Sequence, residues 1–167
     1  MTNVVTTTII VPVGRLQREL KQNKPFESLE SEVYLNLART ADVLQRWEID
    51  VLKPAELTPS QYNILRILRG AGADGHRCAE IGARMITRDP DITRLLDRLE
   101  KRGLVQRARD TVDRRVVTTR ITESGLKLLA TLDEPVEMTQ RKLLGHMSRA
   151  SLESLNQLLE EARSAQQ

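Results

Sequence analysis

TRDPDITRLLDRLEKRGLVQRARDTVDRRVVTTRIT, residues 87–122, sets out a helix, a sharp stop and a hairpin in immediate succession. Ile92, Leu95, Leu96 and Leu99 recur at i, i+3, i+4 and i+7, so one face of the predicted helix is apolar and must pack on a core. Arg94, Arg98 and Lys101 then fall away from that face. Asp89 is the expected N-cap, ahead of Pro90 at the first helical position, where a missing N–H costs nothing. Gly103 supplies the left-handed residue that ends the helix. Beyond it, residues 104–109 and 115–121 are β-prone and rich in arginine, bridged by the charged run 110–114, which reads as a hairpin. A basic helix followed by a basic hairpin has the outline of a recognition helix and a wing.

The run Asp91-Ile92-Thr93-Arg94-Leu95-Leu96-Asp97-Arg98-Leu99-Glu100-Lys101-Arg102-Gly103-Leu104-Val105, then Asp113-Arg114-Arg115 and Ile121-Thr122, resembles the MarR family of bacterial winged-helix transcription regulators. The resemblance runs from about Leu57 to Leu129 on motifs and more weakly over the flanking helices. It implies a mainly α fold with a small β-hairpin wing, a winged helix-turn-helix whose flanking helices form a dimerisation layer. It also implies a homodimer on a pseudo-palindromic operator in double-stranded DNA. By residue match it places Arg115 in the minor groove, with Asp113 orienting its guanidinium.

Charge distribution agrees with that outline. The whole chain of 167 residues carries +3, yet residues 58–121 hold 14 Lys/Arg against 8 Asp/Glu, and the remainder 12 against 15. Basic character is concentrated in the winged-helix region, as a DNA-binding surface needs. With 2% aromatic residues, base stacking on an aromatic platform is a poor fit and a leucine-rich helical core a better one. One cysteine excludes an intramolecular disulfide, and with no recognisable signal peptide the expected compartment is the cytoplasm. The apolar Ile9-Ile10-Val11 is far too short to span a bilayer, so no membrane role is expected.

Four regions follow along the chain: an N-terminal arm over residues 1–24, a dimerisation helix within 25–56, the DNA-binding winged helix over 57–121, and C-terminal dimerisation helices over 122–167. Leu29, Val33, Leu37, Ala41 and Leu44 form a stripe that Tyr34, Ala38, Val43 and Trp47 widen, which predicts a helix buried on two sides, ended by Lys53-Pro54. Thr58-Pro59-Ser60-Gln61 is a capping box that opens a second helix, through Tyr62, Leu65 and Leu68 to Gly70. Residues 78–85, with Ile81 and Met85 buried, suit the first helix of a helix-turn-helix. Thr122 caps a helix through Leu126, Leu129 and Leu132 that Pro135 should kink or interrupt. Ser148 caps a last helix whose seam is Leu152, Leu155, Leu158 and Leu159.

Exposed arginines on a helix are ordinary, but beside a wing Arg94 and Arg98 are expected to touch DNA. Recognition helices read base edges mainly through their N-terminal residues, here Thr87, Arg88, Asp91, Thr93 and Arg94. Asp91 can pair with a neighbouring arginine or accept from a cytosine amino group. Arg107, Arg109 and Arg114 are expected on phosphates. The resemblance further implies a ligand pocket and a small aromatic or phenolic effector. Tyr34, Trp47 and Tyr62 are the aromatic candidates to line it, with ordinary core packing the favoured alternative for each. Cys78, at a helix start beside Arg77, could sense oxidants, although a buried or half-buried structural thiol is the favoured reading. His76 and Cys78 fall short of a metal site, so neither metal nor cofactor is expected. No nucleophile–base pair, phosphate loop or acid pair argues for an enzyme. The leading function is a repressor relieved by a small molecule; the alternative is a winged-helix interaction protein or non-specific nucleic-acid binder without a regulatory ligand.

Overall fold

A computed structural model describes residues 14–88, 91–109 and 116–164. The chain divides into two compact units, residues 1–44 and 45–167. In the first, a five-residue helix α1 (Arg15–Glu19) lies within the region expected to be an arm, with Leu16 buried. The long helix α2 (Leu29–Leu52) begins where the Ser28 hydroxyl accepts from the Ser31 amide at 3.1 Å.

Helix α2 departs from its expected burial on two sides. Leu29, Val33, Tyr34, Leu37, Val43 and Leu44 are all exposed. The core of the second unit takes up only the last turn, where Leu52 is buried and Val51 packs beside it. A 3₁₀ turn, Lys53–Ala55, then ends the helix at the predicted proline.

Helix α3 (Pro59–Ala71) opens on the predicted capping box: the Gln61 amide donates to Thr58 Oγ1 at 3.2 Å and the Thr58 amide to Gln61 Oε1 at 3.0 Å. Strand β1 (His76–Arg77) follows, then α4 (Cys78–Arg84), α5 (Ile92–Lys101), β2 (Val105–Arg109) and β3 (Val117–Ile121). The three strands form an antiparallel sheet in the order β1-β3-β2, with Val105 opposite Ile121 and Arg109 opposite Val117. Sequence patterning missed β1, because two residues carry no periodicity; it exists as an edge on β3, His76 opposite Thr119.

Helix α6 (Glu123–Leu144) and helix α7 (Arg149–Ser164) complete the chain. Thr122 and Ser148 cap them as predicted, accepting from the Gly125 and Ser151 amides at 3.1 Å each. Pro135 does not interrupt α6, which runs through it as one helix. A proline removes a single i→i−4 bond, and helical residues on both sides can hold the direction. Leu52, Ile64, Leu65, Leu68, Ile81, Leu96, Leu99 and Leu129 are fully buried in one core that joins the ends of α2 and α6 to the winged helix.

Candidate nucleic-acid interface

Helices α4 and α5 pack closely because α4 presents Gly82 to Ile92: a Cβ there would lie 2.8 Å from Ile92 Cδ1. Leu95, Leu96 and Leu99 bury the inner face of α5, which fixes what the other face can reach. Thr93, Arg94 and Arg98 are exposed on it, and Thr87 and Arg88 are exposed in the preceding turn. The N-cap differs from the expected one. Asp89 and Pro90 lie outside the described residues, and α5 starts at Ile92 with Asp91 as its cap, its carboxylate accepting from the Arg94 amide at 3.4 Å. The same carboxylate pairs with the Arg94 guanidinium at 3.1 Å, one of the two roles the sequence allowed for it.

At its other end α5 stops in a Schellman arrangement. Gly103, at φ 69°, donates to the Glu100 carbonyl at 2.8 Å, and Leu104 donates to the Leu99 carbonyl at 3.0 Å. Four further hydrogen bonds fasten this end. Thr122 donates its hydroxyl to the Gly103 carbonyl at 2.7 Å and its amide to the Leu104 carbonyl at 3.0 Å, so the cap of α6 is also a strap on α5. Arg102, which sequence reasoning passed over, forks onto the carbonyls of Glu56 at 2.6 Å and Ala55 at 2.9 Å, satisfying the end of the 3₁₀ turn after α2. A helix held at its C-terminus leaves its N-terminal turn as the presented part.

Arg107 is placed differently from the expected phosphate contact. Its Nε donates to Glu100 Oε2 at 2.9 Å, its Nη2 reaches Glu100 and Asp97 at 2.6 and 2.5 Å, and its amide donates to Glu100 Oε1 at 3.0 Å. The side chain is half-buried between two carboxylates of α5, so its charge is already matched. Hydrogen bonds from Arg107 hold the Glu100 carboxyl below the usual carboxylate range, against a smaller opposing effect of burial. Asp97 and Glu100 sit at i, i+3 and so share a face, and that spacing was the available signal. Arg109 is exposed on β2, and among the described residues Arg98 and Arg109 have no carboxylate partner. The wing tip, with Asp113, Arg114 and Arg115, lies outside the described residues.

The aromatic candidates separate. Tyr62 is 6% exposed within the core, its hydroxyl accepting from Arg66 at 3.1 Å, which is the core packing weighed against a ligand role. Trp47 lies under the Lys142 ammonium, 4.6 Å from the ring centroid. Tyr34 is 70% exposed on α2. Cys78 is exposed rather than buried or half-buried, with its sulfur 4.0 Å from Thr93 Oγ1. The first residue of a short helix at the protein surface has little apolar material around it. No group of His, Cys, Asp and Glu able to hold a metal occurs among the described residues, and no described helix is long and apolar enough to cross a membrane.

Comparison with known proteins places these elements in context. A model of the MarR family matches residues 57–117. The chain is similar to the HTH-type transcriptional repressor MdtR of Bacillus subtilis, 29% identical over 102 residues, a segment covering 61% of this chain and 64% of that repressor's length. Among solved structures it is similar to a MarR transcription factor from Planctomyces limnophilus, at 43% identity and a TM-score of 0.64, with 81% of this chain and 98% of that one covered. It is also similar to CouR from Rhodococcus jostii, solved bound to p-coumaroyl-CoA, at 25% identity and a TM-score of 0.69, covering 84% and 95%.

Proposed function

This chain belongs to the MarR family of transcription regulators, and from that premise we propose that it is a homodimeric repressor of a pseudo-palindromic operator, released by a small aromatic or phenolic ligand. The observation that carries the reading is the presentation of α5: its apolar face and C-terminus are locked into the core, while Thr87, Arg88, Thr93, Arg94 and Arg98 are exposed at or after its start. Such a turn meets the major groove, where arginine forks onto guanine and threonine meets adenine or a thymine methyl. Arg109 and Arg114 are assigned to phosphates, and Arg115, oriented by Asp113, to a narrow minor groove, which concentrates negative potential. Arg107 is reassigned as the tie between wing and recognition helix.

Dimerisation supplies what one chain leaves uncovered, the apolar residues of α2, α6 and α7. An effector acts by binding one dimer geometry better than the other, since only a difference in affinity moves the equilibrium. Trp47, with a cation over its face, suits an aromatic ligand bearing negative charge. The test is selection from random duplexes. A palindrome with half-sites about one helical turn apart is expected; a collection with no shared motif would replace this reading with a non-specific nucleic-acid binder.

A further inference from the structure

Ile86 is the most exposed large apolar side chain among the described residues, at 85%, and the dimerisation seams do not account for it. The other exposed large apolar residues lie on α2, α6 and α7, apart from Val117 in the wing. Ile86 stands in the turn between α4 and α5, directly before Thr87 and Arg88. Its backbone is fixed: the Ile86 amide donates to Asn63 Oδ1 at 2.9 Å, and Asn63 belongs to α3, between the buried Tyr62 and Ile64. The preceding residue, Met85, packs against the core, so the chain turns one side chain inward and the next outward. A branched aliphatic held outward on a basic, DNA-facing turn keeps its apolar surface in water until something apolar covers it.

We propose that Ile86 is a specificity-determining residue that packs against the C5-methyl group of a thymine in each operator half-site. The major groove offers one apolar feature on its base edges, and that is the thymine methyl. The neighbours suit the same groove, since Thr87, Arg88 and the first turn of α5 carry polar groups for the adjacent base edges and phosphates. The inference rests on the proposed function, because it needs an operator, and it adds to that reading a base and the atom recognised.

The test is a deoxyuracil scan of the selected operator, replacing thymines one at a time and so removing only the methyl group. The parent protein is expected to lose roughly threefold to tenfold in affinity at one thymine per half-site. Ile86→Ala should bind the unmodified operator more weakly by the same factor and show no further loss at that thymine. Arg94→Ala, weaker for another reason, should retain the full deoxyuracil effect, and unchanged circular dichroism of Ile86→Ala excludes misfolding as the cause. The inference is overturned if no thymine is sensitive, if the sensitive thymine stays so in Ile86→Ala, or if its sensitivity disappears in Thr87→Ser instead. Those outcomes leave the operator-binding reading standing, whereas failure to select any operator removes both.

Discussion

From α3 to β3, leucines and isoleucines such as Ile64, Leu65, Leu68, Ile81, Leu96 and Leu99 are fully buried, whereas Val43, Leu126, Met138 and Leu158, of the same chemistry, stay exposed on α2, α6 and α7. The difference is not one of pattern, since both regions show helical apolar spacing. It lies in what each face meets. The winged helix closes on itself, with element ends capped by Thr58, Asp91, Gly103 and Thr122. The terminal helices contribute Leu52, Leu129 and Leu132 to that core and leave long faces to spare. An apolar face in water carries a free-energy cost of roughly 25 cal/mol per Å² that a second copy would remove. The first region therefore folds within the chain, and the second is the surface on which the proposed dimer would form.

Gly125 offers the largest way to break that contrast, because it lies where the two regions touch. A Cβ there would be 2.3 Å from the Leu104 carbonyl oxygen and 2.7 Å from Ile121 Cγ1, so Gly125→Leu must force the wing base away from α6. Thermal unfolding should show a loss of about 3 kcal/mol or more; a parent-like midpoint would mean that this junction can yield. Leu155 and Leu158 probe the other region. Leu158 is 61% exposed in one chain, so replacing both with aspartate should leave helicity nearly intact while sedimentation reports a monomer. Operator affinity should fall by about 100-fold, since two linked half-site contacts become one. A monomeric parent at micromolar concentration that still binds a palindrome tightly would remove the comparison's premise.

Within the DNA-binding region the comparison sharpens between arginines. Arg115→Ala should weaken operator binding by roughly 1–3 kcal/mol and relax the preference for A-T pairs at the flanks. Arg109→Ala should lower affinity on all sequences and reduce the salt slope by about one contact. Arg107→Ala should instead leave the salt slope at its parent value, because Glu100 and Asp97 already neutralise that guanidinium. Its effect should appear as a partial copy of the Arg115 defect, through a wing no longer tied to α5. Equal, sequence-independent losses with equal slopes for all three variants would mean a diffuse basic surface.

How much of this was legible depended on the range of the interactions. Local chemistry was readable: Thr58 with Gln61, the left-handed Gly103, and the caps at Thr122 and Ser148 all act within a few residues of themselves. The hairpin was readable because β2 and β3 are long enough to carry β propensity. The N-cap was shifted from Asp89 to Asp91, since two aspartates flank one proline and only backbone geometry separates them. Arg107 read as a phosphate ligand because its partners lie seven and ten residues away on another element. Arg102 reaches carbonyls more than 45 residues away and gave no signal at all. Cys78 was expected to be a buried or half-buried structural thiol, and its exposure is a property of the surrounding fold. Ile86 was invisible for the same reason: an isoleucine in a turn says nothing until its amide is seen fixed to Asn63.

The smallest expected effect concerns pH, and it isolates the tie between wing and recognition helix. Arg107 lowers the Glu100 pKa in the folded chain relative to its ordinary value, so the pair stabilises the fold above the ordinary carboxylate range and that contribution is lost as pH falls through the lowered pKa. Glu100→Gln keeps the shape but has no such titration. At neutral pH the parent should be the more stable by less than about 1 kcal/mol, a modest figure because the Glu100 side chain is 37% exposed and solvent screens the pair. The two stabilities should converge only once pH has fallen below the lowered pKa of Glu100 in the folded chain, where the carboxyl is protonated in both folded and unfolded chains. Urea unfolding of both proteins across that range reads the difference directly. A gap that persists unchanged into acid would mean that Glu100 supports the wing through packing, and that Arg107 is held by Asp97 instead.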